Sequence, residues 1–119
     1  MVLFVYGSLL PGERHQGQLA GARALGEART EPIYALVDLG DYPGLLEGGS
    51  TAVAGALYEI DEEALPRLDA FEGHPDEYRR GPVRLAGGAR AEAYFFPRSQ
   101  ALGRPLVAGG DWRRRAKRR

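Results

Sequence analysis

A chain of 119 residues, 44% hydrophobic and 27% charged, has the size and balance of one globular domain. No apolar run approaches the eighteen or so residues of a membrane-spanning helix, so no membrane partner is expected. The absence of cysteine excludes disulfides, thiolate metal ligands and a cysteine nucleophile, and it fits a cytoplasmic protein. Sixteen basic residues balance sixteen acidic ones, but six of the basic side chains lie in positions 113–119. Without that run, ten basic residues face sixteen acidic ones, a body of about −6. Such a body repels phosphates, which argues against nucleic acid as a partner.

Val2-Leu3-Phe4-Val5-Tyr6 is a β-branched and aromatic run stopped by Gly7, the pattern of a buried strand entering a turn. It has no basic leader, so it does not read as a signal peptide. Residues 13–20 allow at most a short helix, because Gly17 interrupts them. Residues 22–31 and 33–39 read as strands divided by Pro32, and Asp41-Tyr42-Pro43-Gly44 reads as a turn. Residues 51–60 form a further strand whose small residues suit a tightly curved or closed sheet.

Asp61 is placed to cap a helix with an acidic first turn, and Pro66 predicts one turn followed by a restart. Gly73 is a suitable end for that helix, with Pro75 just beyond. Residues 78–85 and 89–96 are strands joined by the hairpin pair Gly87-Gly88. The pattern predicts an α+β fold: a compact mixed β-barrel of about six strands with a few flanking helices. Residues 1–112 read as a single domain, with Trp112 as a packing anchor. Residues 113–119 read as a solvated, frayed basic tail.

Glu72 is the first candidate for chemistry. With Leu65 at zero on a helical wheel, Leu68 falls near 300° and Glu72 near 340°, inside the apolar stripe. An acid there is desolvated, and the negative end of the helix dipole lies at the same terminus; both raise its pKa toward the range of a general acid/base. The same spacing also allows Glu72 to pair with Arg67, Arg79 or Arg80, or simply to reach water. The second candidate is Tyr6-Gly7-Ser8-Leu9, where a strand exits into a loop whose N–H groups can form an anion nest. An ordinary turn fits the same residues. The Walker and nucleophile-elbow spacings are absent, so Ser8 is not an expected nucleophile. His15 and His74 have no metal-ligand spacing, and neither a metal nor a cofactor is expected. Tyr78, Arg79 and Arg80 enter a strand just after the Glu72 turn and are candidates to line the same cavity, Tyr78 first among them.

Taken in order, Tyr6-Gly7-Ser8-Leu9, Tyr42-Pro43-Gly44-Leu45, Val53 to Tyr58, Leu68-Asp69-Ala70-Phe71-Glu72-Gly73, Tyr78-Arg79-Arg80 and Ala93-Tyr94 resemble the γ-glutamylcyclotransferase-like family. The resemblance runs from Val2 to about Phe96. It implies a barrel with a cavity near its mouth and an enzyme that needs no metal. The substrate would be a small γ-glutamyl conjugate, cyclised to 5-oxoproline with release of the amine. It also implies that Glu72 is the catalytic acid/base, while Tyr6, Gly7, Ser8 and Leu9 hold the glutamyl group largely through their backbone. The alternative is a ligand-binding or regulatory domain of the same fold without turnover. Residues 10–15 depart from the pattern of many relatives, which leaves substrate choice open.

Overall fold

The computed structural model describes every residue except 8, 11, 12, 14, 15 and 116–119. Ser8, His15 and the end of the basic run therefore lie outside the described residues. Seven strands form one mixed sheet: β1 (Val2–Val5), β2 (Arg23–Arg29), β3 (Tyr34–Asp38), β4 (Pro43–Glu47), β5 (Ala54–Glu59), β6 (Arg79–Arg84) and β7 (Arg90–Phe95). The path runs β2-β5-β1-β7-β4-β3, and β6 pairs with β7 off that path. The one α-helix among the described residues, α1 (Leu65–Glu72), follows β5.

β1 is central because both of its faces are apolar. Phe4 and Tyr6 pack into one core with Tyr34, Leu45 and Trp112. Leu3 and Val5 face a second core with Tyr58, Leu68 and Tyr94. Burial on both faces is what an unbroken apolar strand requires.

The arrangement around β7 makes the cleft possible. β6 pairs antiparallel with β7 along its whole length, from Arg79↔Phe95 to Arg84↔Arg90. The other edge of β7 is shared by two parallel strands, β1 at Leu3↔Glu92 and β4 at Leu45↔Phe95. Past this handover β1 must leave the ladder, and the gap at its end is bridged by a side chain. The buried Tyr6 hydroxyl donates to the Tyr94 carbonyl and accepts the Leu45 N–H at 3.2 Å. One hydroxyl thus joins β1, β7 and β4.

The expected barrel is not formed. The sheet is open: β2 and β3 end its path, and past β2 only the single bridge Thr30↔Leu85 reaches toward β6 among the described residues. Glu31 N–H donates to Arg84 and Ala86 N–H to Arg29, but Pro32 follows without an N–H and the contact stops. A strand also replaces much of the turn expected at 41–44. Pro43 is the first residue of β4, where a proline is tolerated, and pairs with Asp38. The reversal itself is closed by the Leu39 N–H on the Tyr42 carbonyl at 3.0 Å.

The helix interrupted at Pro66 is as the sequence suggests. A 3₁₀ turn over Glu62–Ala64 leads into α1, with Pro66 in its first turn, where its missing N–H costs nothing. Asp61 precedes that turn in an extended conformation, but its side chain makes no capping bond. Only its carbonyl serves, accepting Ala64 N–H. Trp112 is buried as an anchor, and the Arg115 guanidinium lies 3.4 Å from its ring centroid. Arg113 N–H donates to the Asp111 carboxylate, and its guanidinium lies 3.2 Å from Glu27 of β2.

Removing the Tyr6 hydroxyl leaves a buried N–H and a buried carbonyl without that partner. Tyr6→Phe should lower stability by about 1–3 kcal/mol with an unchanged denaturant m-value, measured by urea unfolding.

Candidate active site

The strand handover opens a cleft of about 230 Å³. Its floor is Phe4 and Val5 of β1, the adjoining Tyr6, and Tyr94 of β7, and its walls are Gly7, Leu9, Tyr42, Pro43 and Tyr78. Phe71 and Glu72 enter from the end of α1, and Asp41 and Glu77 stand with them. The cleft therefore brings together Tyr6, Gly7, Leu9, Glu72 and Tyr78, five of the six residues singled out in the sequence. The sixth is Ser8, which lies outside the described residues.

The loop from β1 is held close to the opposite wall. A Cβ on Gly7 would lie 2.7 Å from Cγ and Cδ of Pro43, so only glycine allows this approach. Leu10 N–H donates to the Gly7 carbonyl at 2.9 Å and turns the chain back. The tyrosines present rings rather than free hydroxyl donors. Tyr78 gives its proton to the Pro43 carbonyl at 2.7 Å, Tyr94 to Asp69 at 2.6 Å, and Tyr6 to the Tyr94 carbonyl. Burial, above all, holds all three hydroxyls well above the usual phenol range, so they stay protonated at neutral pH.

The last turn of α1 carries two carboxylates with opposite surroundings. Burial alone would raise the Asp69 carboxyl, but hydrogen bonds from Arg80 and Tyr94 outweigh it and hold its pKa below the ordinary value. Arg80 grips it with Nε at 3.0 Å and a second guanidinium nitrogen at 3.3 Å. This is the bidentate geometry that favours an ionised acid. Glu72, three residues later, has no ion pair among the described residues. Burial first, and the nearby Glu77 charge second, push its pKa up to about 7.

The three arginines that spacing allowed as partners for Glu72 are engaged elsewhere. Arg67 donates to the Gln18 carbonyl, Arg79 lies 3.9 Å from Glu47, and Arg80 holds Asp69 and Glu92. His74 does not line the cleft; its Nδ1 accepts the Arg80 N–H at 3.0 Å. No group of three or more metal-ligating side chains comes together among the described residues. Sequence reasoning missed Glu77, Asp41 and the Asp69–Arg80–Tyr94 network. Asp69 near 40° on the same wheel was the signal for the network, but only the fold brings β6 and β7 to it.

The model of the family described as gamma-glutamyl cyclotransferase, AIG2-like, matches residues 3–114. The chain belongs to that family. A Vibrio cholerae protein provisionally named a gamma-glutamylcyclotransferase is 41% identical over 111 residues, covering 93% of this chain and 94% of that one. The crystal structure of a mouse AIG2-like protein superposes with a TM-score of 0.79 at 26% identity, over 98% of this chain and 97% of the other. Part of the Kluyveromyces lactis allophanate hydrolase shares the fold, with a TM-score of 0.81 at 21% identity, covering 94% of this chain and 20% of that one. This chain's mixed seven-stranded sheet, with one α-helix among the described residues, thus has the fold of that relative.

A folded-state pKa above the unfolded one means that the native protein holds the proton of Glu72 more tightly. The stabilisation is complete below the ordinary carboxyl pKa and is lost as pH rises through about 7. Glu72→Gln, which stays neutral, should match the wild type in stability near pH 4. Above pH 8 it should exceed the wild type by about 1–3 kcal/mol, measured by denaturant unfolding across pH.

Proposed function

We propose that the protein is a γ-glutamylcyclotransferase acting on a small γ-glutamyl amine, amino acid or peptide, with Glu72 as its proton shuttle. The observation that carries this reading is the state of Glu72. It is a cleft-facing carboxyl without a counter-cation among the described residues, raised to about 7, on the same turn as a carboxylate kept ionised by Arg80. Two acids pushed apart by their surroundings divide into a structural anion and a group that can exchange protons at neutral pH.

In the reaction, ionised Glu72 takes a proton from the substrate's α-ammonium group. The freed amine attacks its own γ-carbonyl carbon, forming the ring C–N bond and placing negative charge on the carbonyl oxygen. Glu72 gives the proton to the leaving nitrogen and takes the second proton from the ring nitrogen. The oxyanion re-forms the carbonyl as the original amide C–N bond breaks, and 5-oxoproline and the amine depart, the last proton leaving with the amine. Because nucleophile and electrophile belong to one molecule, holding the glutamyl chain folded removes much of the entropic barrier. The Tyr6-to-Leu9 segment supplies the cradle, with backbone N–H groups suited to the α-carboxylate or the developing oxyanion. The Tyr6, Tyr78 and Tyr94 rings surround the chain and limit the water that would stabilise charged Glu72.

Release of 5-oxoproline from a panel of γ-glutamyl dipeptides and γ-glutamyl amines tests the reading. Glu72→Gln should retain the fold and lose turnover by on the order of 10²–10⁴. Wild-type kcat/KM should rise with pH through a midpoint near 7, since the base form starts the reaction. An unimpaired variant would remove Glu72 from the mechanism. Binding of panel compounds without 5-oxoproline release would instead support a ligand-binding domain of this fold.

A further inference from the structure

We propose that Glu77 is a positioning residue for proton transfer: its carboxylate, folded back over Gly73, sets the proton affinity of Glu72 through its charge. The placement of Glu77 is unusual for an exposed acid. Such a side chain ordinarily extends into water or toward a cation, and Glu77 has no cationic partner among the described residues. It bends instead onto the residue that follows Glu72. A Cβ on Gly73 would lie 2.8 Å from Cδ and Oε2 of Glu77 and 2.9 Å from its Cβ. Gly73 therefore has two reasons to be glycine: its φ of +69° ends α1, and its bare Cα leaves room for the Glu77 carboxylate.

The loop that carries Glu77 is pinned. His74 N–H donates to the Asp69 carbonyl at 2.9 Å and Glu77 N–H to the Gly73 carbonyl at 2.8 Å. Arg80 N–H closes the loop onto His74 Nδ1 at 3.0 Å. The like charges are thus held near each other by backbone bonds, at an electrostatic cost that no cation among the described residues of the cleft offsets.

The other groups facing Glu72 do not supply this control. Tyr6 just after β1, Tyr94 of β7 and Tyr78 stay neutral, each with its hydroxyl proton committed to another acceptor. Asp69, on the same helix, is balanced by Arg80. Asp41 lines the cleft from the β3–β4 turn, on an element not tied to α1 by these bonds. Among the described residues, Glu77 is therefore the uncompensated charge that backbone bonds tie to the end of α1 beside Glu72. It favours the protonated form, so that Glu72 can both accept a proton and give it back near neutrality. The kinetic side of this inference rests on the cyclisation reading; its titration side does not.

The test is a carbon-13 NMR titration of the Glu72 side-chain carboxyl, assigned by its loss in Glu72→Gln, in wild type, Glu77→Gln and Glu77→Lys. The expected midpoints fall in that order, with Glu77→Gln lower than wild type by about half a pH unit at low salt. In about 1 M salt, where the screening length is about 3 Å, the difference should largely vanish. Equal midpoints in wild type and Glu77→Gln at low salt would overturn the proposal, as would a shift that salt leaves intact, since that would mark a change of packing. The acid limb of kcat/KM should move with the midpoint in an active enzyme. Midpoints that move while the panel yields no 5-oxoproline would sink the cyclisation reading and leave this one standing.

Discussion

The Tyr6 hydroxyl is the group on which the rest of the site depends. A strand has two hydrogen-bonding edges, and β7 has three partners: β6 along its whole length, and β1 and β4 sharing the other edge. Sharing an edge forces β1 and β4 apart, and splayed strands leave buried backbone groups that need partners. Tyr6 meets that need by accepting Leu45 N–H and donating to the Tyr94 carbonyl. Tyr78 does similar work where the gap widens, through the Pro43 carbonyl. The cleft is thus a defect in the sheet that aromatic hydroxyls have made stable. Their rings are left as its lining.

Into that gap α1 delivers two acids in different states. Asp69 faces β6 and β7, which supply Arg80 and the Tyr94 hydroxyl, so it stays ionised and ties the helix to the sheet. Glu72 lies beyond the reach of that pair and faces the rings. The difference is one of neighbours, since both side chains are carboxylates on one turn. The arginine that would quench Glu72 is spent on Asp69, and this separation is what leaves an exchangeable proton in the cleft.

Much of the fold was legible because short-range chemistry decided it. The apolar run of β1, the restart of the helix at Pro66, the stop at Gly73 and the hairpin at Gly87-Gly88 all follow from local sterics and periodicity. The strand at Pro43 was hidden because proline and glycine together signal a turn, yet pairing with β3 admits proline at a strand's first position. The open sheet was hidden for a related reason. Closure depends on whether distant strands find hydrogen-bond partners, and Pro32 ends the one approach that β2 makes toward β6.

The sequence by itself marked residues that the fold brings to one cleft: the Tyr6-Gly7 exit, the Glu72 position on an apolar stripe and Tyr78 all carry local signals, and their order marks the family. It left the charge state of Glu72 undecided, because three arginines lay within plausible reach. Only the tertiary structure assigned Arg67 to Gln18, Arg79 to Glu47 and Arg80 to Asp69, and folded Glu77 back beside Gly73. The physical reason is range. Helix and strand patterns are set by neighbours a few residues apart, whereas a carboxylate's proton affinity is set by whatever charge and solvent the whole fold brings to it.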